Sequence, residues 1–157
     1  MPFRKTIRLA TFDLLLHYLR TLKSHLEYLD ERGGVVEEAV AQTAVTELSF
    51  VLEDLNALKL DDVLAPSRDA IGDVCHLLIT ALEQAQNREA VMETFEGVRD
   101  IALQQQEVHR IDVRAVDRTV LQEVIDYYFR ARALITTPAE ELGVDITTID
   151  TPSAITL

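Results

Sequence analysis

Two pairs of residues combine a carboxylate with an imidazole at helical spacing. Asp13 and His17 are four residues apart and Asp73 and His76 are three apart, so each pair would share one helix face. Such groups are ligands for zinc and other transition metals. A di-metal site in a helical bundle needs Glu-x-x-His motifs, and the sequence contains none. We therefore expect surface polar groups here, with no metal and no cofactor.

Arg20 and His25 are the second candidate for chemistry, in the stretch Arg20-Thr21-Leu22-Lys23-Ser24-His25. This arginine-x4-histidine pattern resembles the motif of HEPN-type ribonucleases, small helical proteins that form an active site across a dimer. The resemblance covers these six residues. It implies that Arg20 and His25 lie together near a phosphate and that His25 acts in proton transfer. The alternative is that both residues flank a leucine seam, where long polar side chains extend to solvent.

Arg110, Arg114 and Arg118 recur every four residues. On one continuous helix they would form a basic stripe that binds phosphate or an acidic partner. Acidic residues are interleaved with them, however, so pairing at i,i+4 and solvation explain the same spacing. The formal net charge of −12 repels nucleic acid. We therefore keep the stripe as a candidate anion-binding site and do not expect direct binding of nucleic acid.

The single cysteine, Cys75, precedes His76. Adjacent residues on a helix point about 100° apart, so His76 is poorly placed to deprotonate the thiol. We expect Cys75 to be a small buried hydrophobic residue. The sequence also lacks a phosphate-binding glycine loop, a serine nucleophile elbow and a Cys-x-x-Cys pair.

Composition indicates one all-α domain. The chain has 157 residues, with 5 glycines, 4 prolines and 6% aromatic residues, and few helix breakers favour helices over a β-sandwich or barrel. No apolar run approaches the roughly 18 residues of a membrane span, and we identify no signal peptide. The expected location is the cytoplasm, or an assembly made in the cytosol, without membrane contact.

Periodic apolar residues predict a helical bundle over residues 1–143, with about five long helices and a short sixth. The first helix runs from Thr6 to Glu31, carries a seam that includes Leu15, Leu19, Leu22 and Leu26, and ends at Gly33-Gly34. The second runs from Val35 to Leu58 and the third from an N-cap at Ser67 to Gln86. The fourth carries Val91, Phe95, Val98 and Ala102. The fifth begins by Val113, carries a stripe that includes Val116, Val120, Val124 and Leu134, and ends near Ile135. The sixth begins at a capping box over 137–140 and ends at Gly143.

Residues 144–157 form an extended C-terminal tail. Thr147, Thr148 and Thr151 favour extended backbone, and Pro152 blocks a continuing helix. We expect no sheet in the bundle for this tail to join. It is either a frayed terminus or an arm whose Ile146, Ile149, Ile155 and Leu157 are covered by a neighbouring molecule.

These features favour a non-catalytic helical interaction or assembly subunit of a larger complex, such as a phage or virus particle or a multiprotein bacterial machine. We expect protein partners and a homo-oligomer. The contact residues would be Leu15, Leu19, Leu22 and Leu26 on the first helix and Ile146, Ile149 and Leu157 on the tail. The alternatives are a small HEPN-like ribonuclease or toxin that uses Arg20 and His25, and an acidic regulator of a nucleic-acid-binding protein.

Overall fold

The computed structural model describes the backbone of residues 2–58, 64–92 and 109–144, and the side chains of residues 9–58, 64–87 and 112–144. The described elements are, in chain order, α1 (Pro2–Glu31), β1 (Val35–Glu37), α2 (Glu38–Ala57), α3 (Ala65–Glu83), β2 (Gln86–Met92), β3 (His109–Ala115) and α4 (Arg118–Leu142). The mostly helical fold predicted from the sequence is confirmed. The prediction of five long helices and a short sixth is not, because the described part holds four helices and a small sheet.

The helices form a bundle in which α3 packs against each of the other three, and α1 also packs against α4. The leucine seam of α1 belongs to the core, since Leu15, Leu19, Leu22 and Leu26 are fully buried. The same core includes Leu48 and Leu55 from α2 and Leu78 from α3. Burial of these apolar surfaces is the main stabilising contribution to such a bundle. No described helix is long and apolar enough to cross a membrane.

Helix α4 corrects the prediction of separate fifth and sixth helices. It is continuous from Arg118 to Leu142 and contains Pro138. Proline cannot donate the helical hydrogen bond, but the buried Pro138 packs against the core, and the helix continues for four more residues. The predicted stripe is also rotated, because Val120 and Leu134 are exposed. The buried residues of α4 are Leu121, Val124, Ile125, Tyr128, Ala131, Ile135, Pro138 and Ala139.

The beginnings of α2 and α3 differ from their predictions as well. Helix α2 begins at Glu38 because Val35–Glu37 pairs as a strand. Helix α3 begins at Ala65, with Leu64 at the N-cap position and without a side-chain cap. Ser67, the predicted N-cap, lies within the first turn and is buried.

The structure contains a three-stranded antiparallel sheet, which the sequence-based prediction of an all-α bundle did not include. The strand order is β1-β3-β2, with β3 in the centre. Val35–Glu37 pairs with Val113–Ala115, and Gln86–Met92 pairs with His109–Ala115. Val91 of the predicted fourth helix therefore lies on a strand. The other residues assigned to that helix lie outside the described residues.

The turn between α1 and β1 attaches the sheet to the bundle. Gly33 and Gly34 both have positive φ angles, of 63° and 88°. The Gly34 amide donates to the Leu29 carbonyl at 2.8 Å, which closes the end of α1. The Gly34 carbonyl accepts from the Val116 amide, also at 2.8 Å. A Cβ at Gly34 would overlap the Val116 carbonyl oxygen, so the two segments approach as closely as glycine allows.

Candidate functional site

The sheet lies where α1 and α3 end and α2 and α4 begin, and we call this region the sheet end. Its polar centre is Arg114 on β3. The guanidinium donates from Nε and Nη2 to both carboxylate oxygens of Glu38, at 2.7 and 2.6 Å, and from Nη1 to the Leu82 carbonyl at 3.1 Å. Arg114 thus joins the central strand to the first residue of α2 and the last turn of α3.

The Arg114–Glu38 pair is only partly exposed, with 15% and 27% of the two side chains accessible. The hydrogen bonds from Arg114 hold the pKa of Glu38 below its usual value, although partial burial opposes this effect. The bidentate geometry fixes the orientation of both groups. Since both carboxylate oxygens are bonded, Arg114 acts in the structure as a connector between secondary-structure elements.

An open groove of about 550 Å³ lies beside this connector. It is bounded by the end of α3, the first residue of β2, the turn at Gly33 and the start of α4. Asp117 fixes the start of α4, because its Oδ1 accepts from the amides of Thr119 and Val120 at 2.8 and 3.4 Å. The remaining lining residues combine apolar and polar character: Ala81, Gln84, Ala85, Gln86, Ala115, Val116, Arg118 and Val120.

The first residue of β2, Gln86, lines the groove. Strand β2 pairs with β3 on one side, and no other described strand pairs with its second side, which we call the open edge. Its sequence, QNREAVM, contains no proline and no lysine, and its one arginine and one glutamate cancel in formal charge. Proteins commonly protect sheet edges with proline, lysine, bulges or very short strands. The seven-residue edge of β2 contains neither proline nor lysine, and it is not very short.

The three arginines of the predicted basic stripe do not share a helix. Arg110 and Arg114 belong to β3, where the strand register pairs them with Val91 and Asn87 of β2. Arg118 is the first residue of α4. Arg114 is bonded to Glu38, whereas Arg118 is exposed and lines the groove. A role for the three in binding anions stays a prediction.

Arg20 and His25 both lie on α1. Five residues of α-helix separate their directions by about 140°, so within one chain they diverge. Arg20 is exposed, and His25 lies towards α2, where its Nε2 is 3.6 Å from Oε2 of Glu47. A shared phosphate site would thus need a contribution from a second chain, which the resemblance to HEPN-type ribonucleases also implies.

Three of the remaining candidate residues, Asp73, Cys75 and His76, lie on α3. The Cys75 thiol is buried, its Sγ lies 3.1 Å from the Leu48 carbonyl, and burial raises its pKa to about 11. Asp73 and His76 line a small cleft of about 360 Å³ between α2 and α3. Within the described residues, no three histidine, cysteine, aspartate or glutamate side chains are grouped so that they could hold a metal ion.

Of the predicted contact residues, the four leucines of α1 are placed in the chain's own core. Packing within one molecule thus accounts for their spacing, and a role in contacts between molecules stays a prediction. Val144 is the last described residue; its amide donates to the Ala139 carbonyl at 2.9 Å, and its side chain packs against the core. Ile146, Ile149 and Leu157 lie outside the described residues.

Sequence reasoning missed the sheet end as a site. A signal was present in the stretch from His109 to Ala115, where Ile111 and Val113 alternate with charged residues in the manner of a strand. No local signal indicated that Arg114 bonds to Glu38, which is 76 residues away along the chain.

No protein-family model, curated protein or solved structure matches the chain.

Proposed function

We propose that the protein is a non-catalytic helical assembly subunit that associates with further copies of itself through the sheet end. The observation that carries this proposal is the seven-residue open edge of β2, which no other described strand pairs with and whose first residue, Gln86, lines the groove. A phage or virus particle or a multiprotein bacterial machine is the kind of complex in which such a subunit would act.

The physical argument begins with the backbone of β2. An antiparallel strand directs alternate amides and carbonyls to its two sides, and an edge strand presents one row of them to solvent. A strand from another molecule can satisfy this row without any particular side-chain sequence. The groove next to it supplies apolar contacts and polar groups that fix orientation, as in known interfaces.

Other described features support a role without catalysis. Arg114 and Glu38 satisfy each other, and the Cys75 thiol is held in the protonated form by burial. The ribonuclease alternative depends on Arg20 and His25, which diverge on α1. Arg20→Ala and His25→Ala variants distinguish the two functions. A ribonuclease would lose RNA cleavage in both variants, whereas an assembly subunit would keep its oligomeric state in both.

Two exposed hydrophobic residues of α4 provide a matched test. Val120 lines the groove and is 39% exposed, whereas Leu134 is 49% exposed and lies fourteen residues further along the same helix. Because both are exposed, an aspartate at either position should leave the bundle folded. We expect Val120→Asp to weaken self-association, as measured by light scattering coupled to size-exclusion chromatography, and Leu134→Asp to leave it unchanged.

Circular dichroism of both variants provides the control for folding. Equal effects of the two substitutions on oligomer mass would contradict an interface at the sheet end. A monomer of 17.7 kDa at every concentration of the native protein would contradict self-association altogether.

A further inference from the structure

We propose that residues 145–157 of one copy add as a further strand to the open edge of β2 in a second copy. This inference rests on the proposed self-association and names the segment that carries it. The interface would be an exchange of arms, in which each molecule donates its C-terminal segment and accepts that of a neighbour.

The accepting edge is long enough for specific pairing. It extends from Gln86 to Met92, and its inner side is already bonded to β3 in a continuous antiparallel register. A strand that is paired on one side has its backbone held in the extended conformation, so a new strand adds with little further ordering of the acceptor. At the opposite edge of the sheet, β1 has only three residues and leads directly into α2.

The donating segment has the composition of a strand. Residues 144–151 read VDITTIDT, and six of these eight residues are valine, isoleucine or threonine. Such β-branched residues favour extended backbone. The whole segment after Val144 contains no lysine, arginine or glycine. Because β2 has no net formal charge, the aspartates of the segment meet no net repulsion from that strand.

The reach of the segment favours a second copy over the same chain. Helix α4 begins beside Gln86 at the groove, and its 25 residues extend for about 37 Å before Val144. The contacts of Val144 with the core fix the point from which the segment departs. The stretch 144–151, whose composition favours a strand, spans at most about 28 Å. It is therefore too short to reach Gln86 of its own chain, which favours the edge of β2 in a second copy.

Cysteine cross-linking of the 157-residue chain tests this pairing directly. One preparation carries Thr148→Cys in the tail, and a second, isotopically labelled preparation carries one cysteine at a position of β2, with each of the seven positions tested in turn. After mixing and mild oxidation, mass spectrometry distinguishes disulfides between the two preparations. Native Cys75 is buried, and a mixture of unsubstituted proteins controls for its reaction.

Strand addition predicts disulfides between molecules at alternate positions of β2, because residues that face each other across paired strands share one side of the sheet. We also expect deletion of residues 145–157 to raise the dissociation constant of the oligomer about tenfold or more, since several backbone hydrogen bonds are lost.

Three results would overturn the inference. The first is the absence of cross-links between molecules at every position. The second is a disulfide that forms only within one chain when Thr148→Cys and a β2 cysteine are placed in the same molecule. The third is an oligomer that survives the deletion unchanged. In this last case Val120→Asp still tests self-association at the sheet end, so failure of the arm exchange is distinguished from failure of the proposed function.

Discussion

Replacement of Gly34 by alanine should destabilise the protein far more than the same replacement at Gly33. Both glycines have positive φ angles, of 88° and 63°, and both lie in the turn that leads from α1 into the sheet. Their surroundings differ, because no atom lies within 4 Å of a Cβ at Gly33, whereas a Cβ at Gly34 would overlap the Val116 carbonyl oxygen. Comparison of Gly33→Ala with Gly34→Ala therefore separates the energetic cost of a positive φ angle from the cost of the overlap with Val116.

The expected magnitudes follow from these contacts. An alanine held at positive φ costs about 1 kcal/mol, and this is the full effect that we expect for Gly33→Ala. At Gly34 the obstructing atom belongs to the backbone and cannot rotate away. The turn must then move from Val116, with loss of the 2.8 Å hydrogen bond between them and of packing around buried Val36 and Val116. We expect Gly34→Ala to lower the free energy of unfolding by about 3 kcal/mol or more.

Urea denaturation followed by far-ultraviolet circular dichroism measures both values. The reasoning requires a clearly lower midpoint for Gly34→Ala than for Gly33→Ala, with similar slopes. Equal midpoints for the two variants would show that the contact between the turn and Val116 contributes nothing, and the described attachment of the sheet would then be wrong.

Three further predictions concern individual side chains. Because Arg114 lowers the pKa of Glu38, the stabilisation by Glu38 is complete above its unfolded-state pKa of about 4.3 and is lost as the pH falls through the folded-state value. Glu38→Gln should thus flatten the dependence of the urea midpoint on pH below about pH 5. Cys75, with a pKa of about 11, should react with a chromogenic thiol reagent at neutral pH only after denaturation; rapid reaction of the native protein would contradict its burial. The buried Tyr128 hydroxyl has no hydrogen-bond partner among the described residues. Tyr128→Phe should therefore leave the free energy of unfolding unchanged or raise it by up to about 1 kcal/mol, as measured by urea denaturation. A clear decrease would show that the hydroxyl has a partner.

The helical core could be predicted because its signal is local and periodic. The seam of α1 repeats at spacings of three and four residues, and Leu15, Leu19, Leu22 and Leu26 are all buried. The end of α1 could also be predicted, since Gly33 and Gly34 adopt the positive φ angles of the turn that follows it. Pro138 shows the limit of local rules, because α4 continues through this buried proline.

The sheet could not be predicted from local patterns for two reasons. Val113, Val116 and Val120 fit helical spacing while Ile111 and Val113 fit strand alternation, so the stretch supported both interpretations. The choice is made by pairing with Val35–Glu37 and with Gln86–Met92, which lie far away along the chain. The same long-range pairing brings Arg114 to Glu38 and creates the groove and the edge on which the proposed function depends.

The most direct test of self-association at the sheet end is the molar mass of the 157-residue chain by sedimentation equilibrium over a range of concentrations, with Val120→Asp and Leu134→Asp measured beside it. We predict a mass above the monomer value of 17.7 kDa for the native protein and for Leu134→Asp, and a lower mass, closer to that value, for Val120→Asp. A native protein that remains at 17.7 kDa throughout, or an oligomer that Val120→Asp leaves intact, would contradict the account.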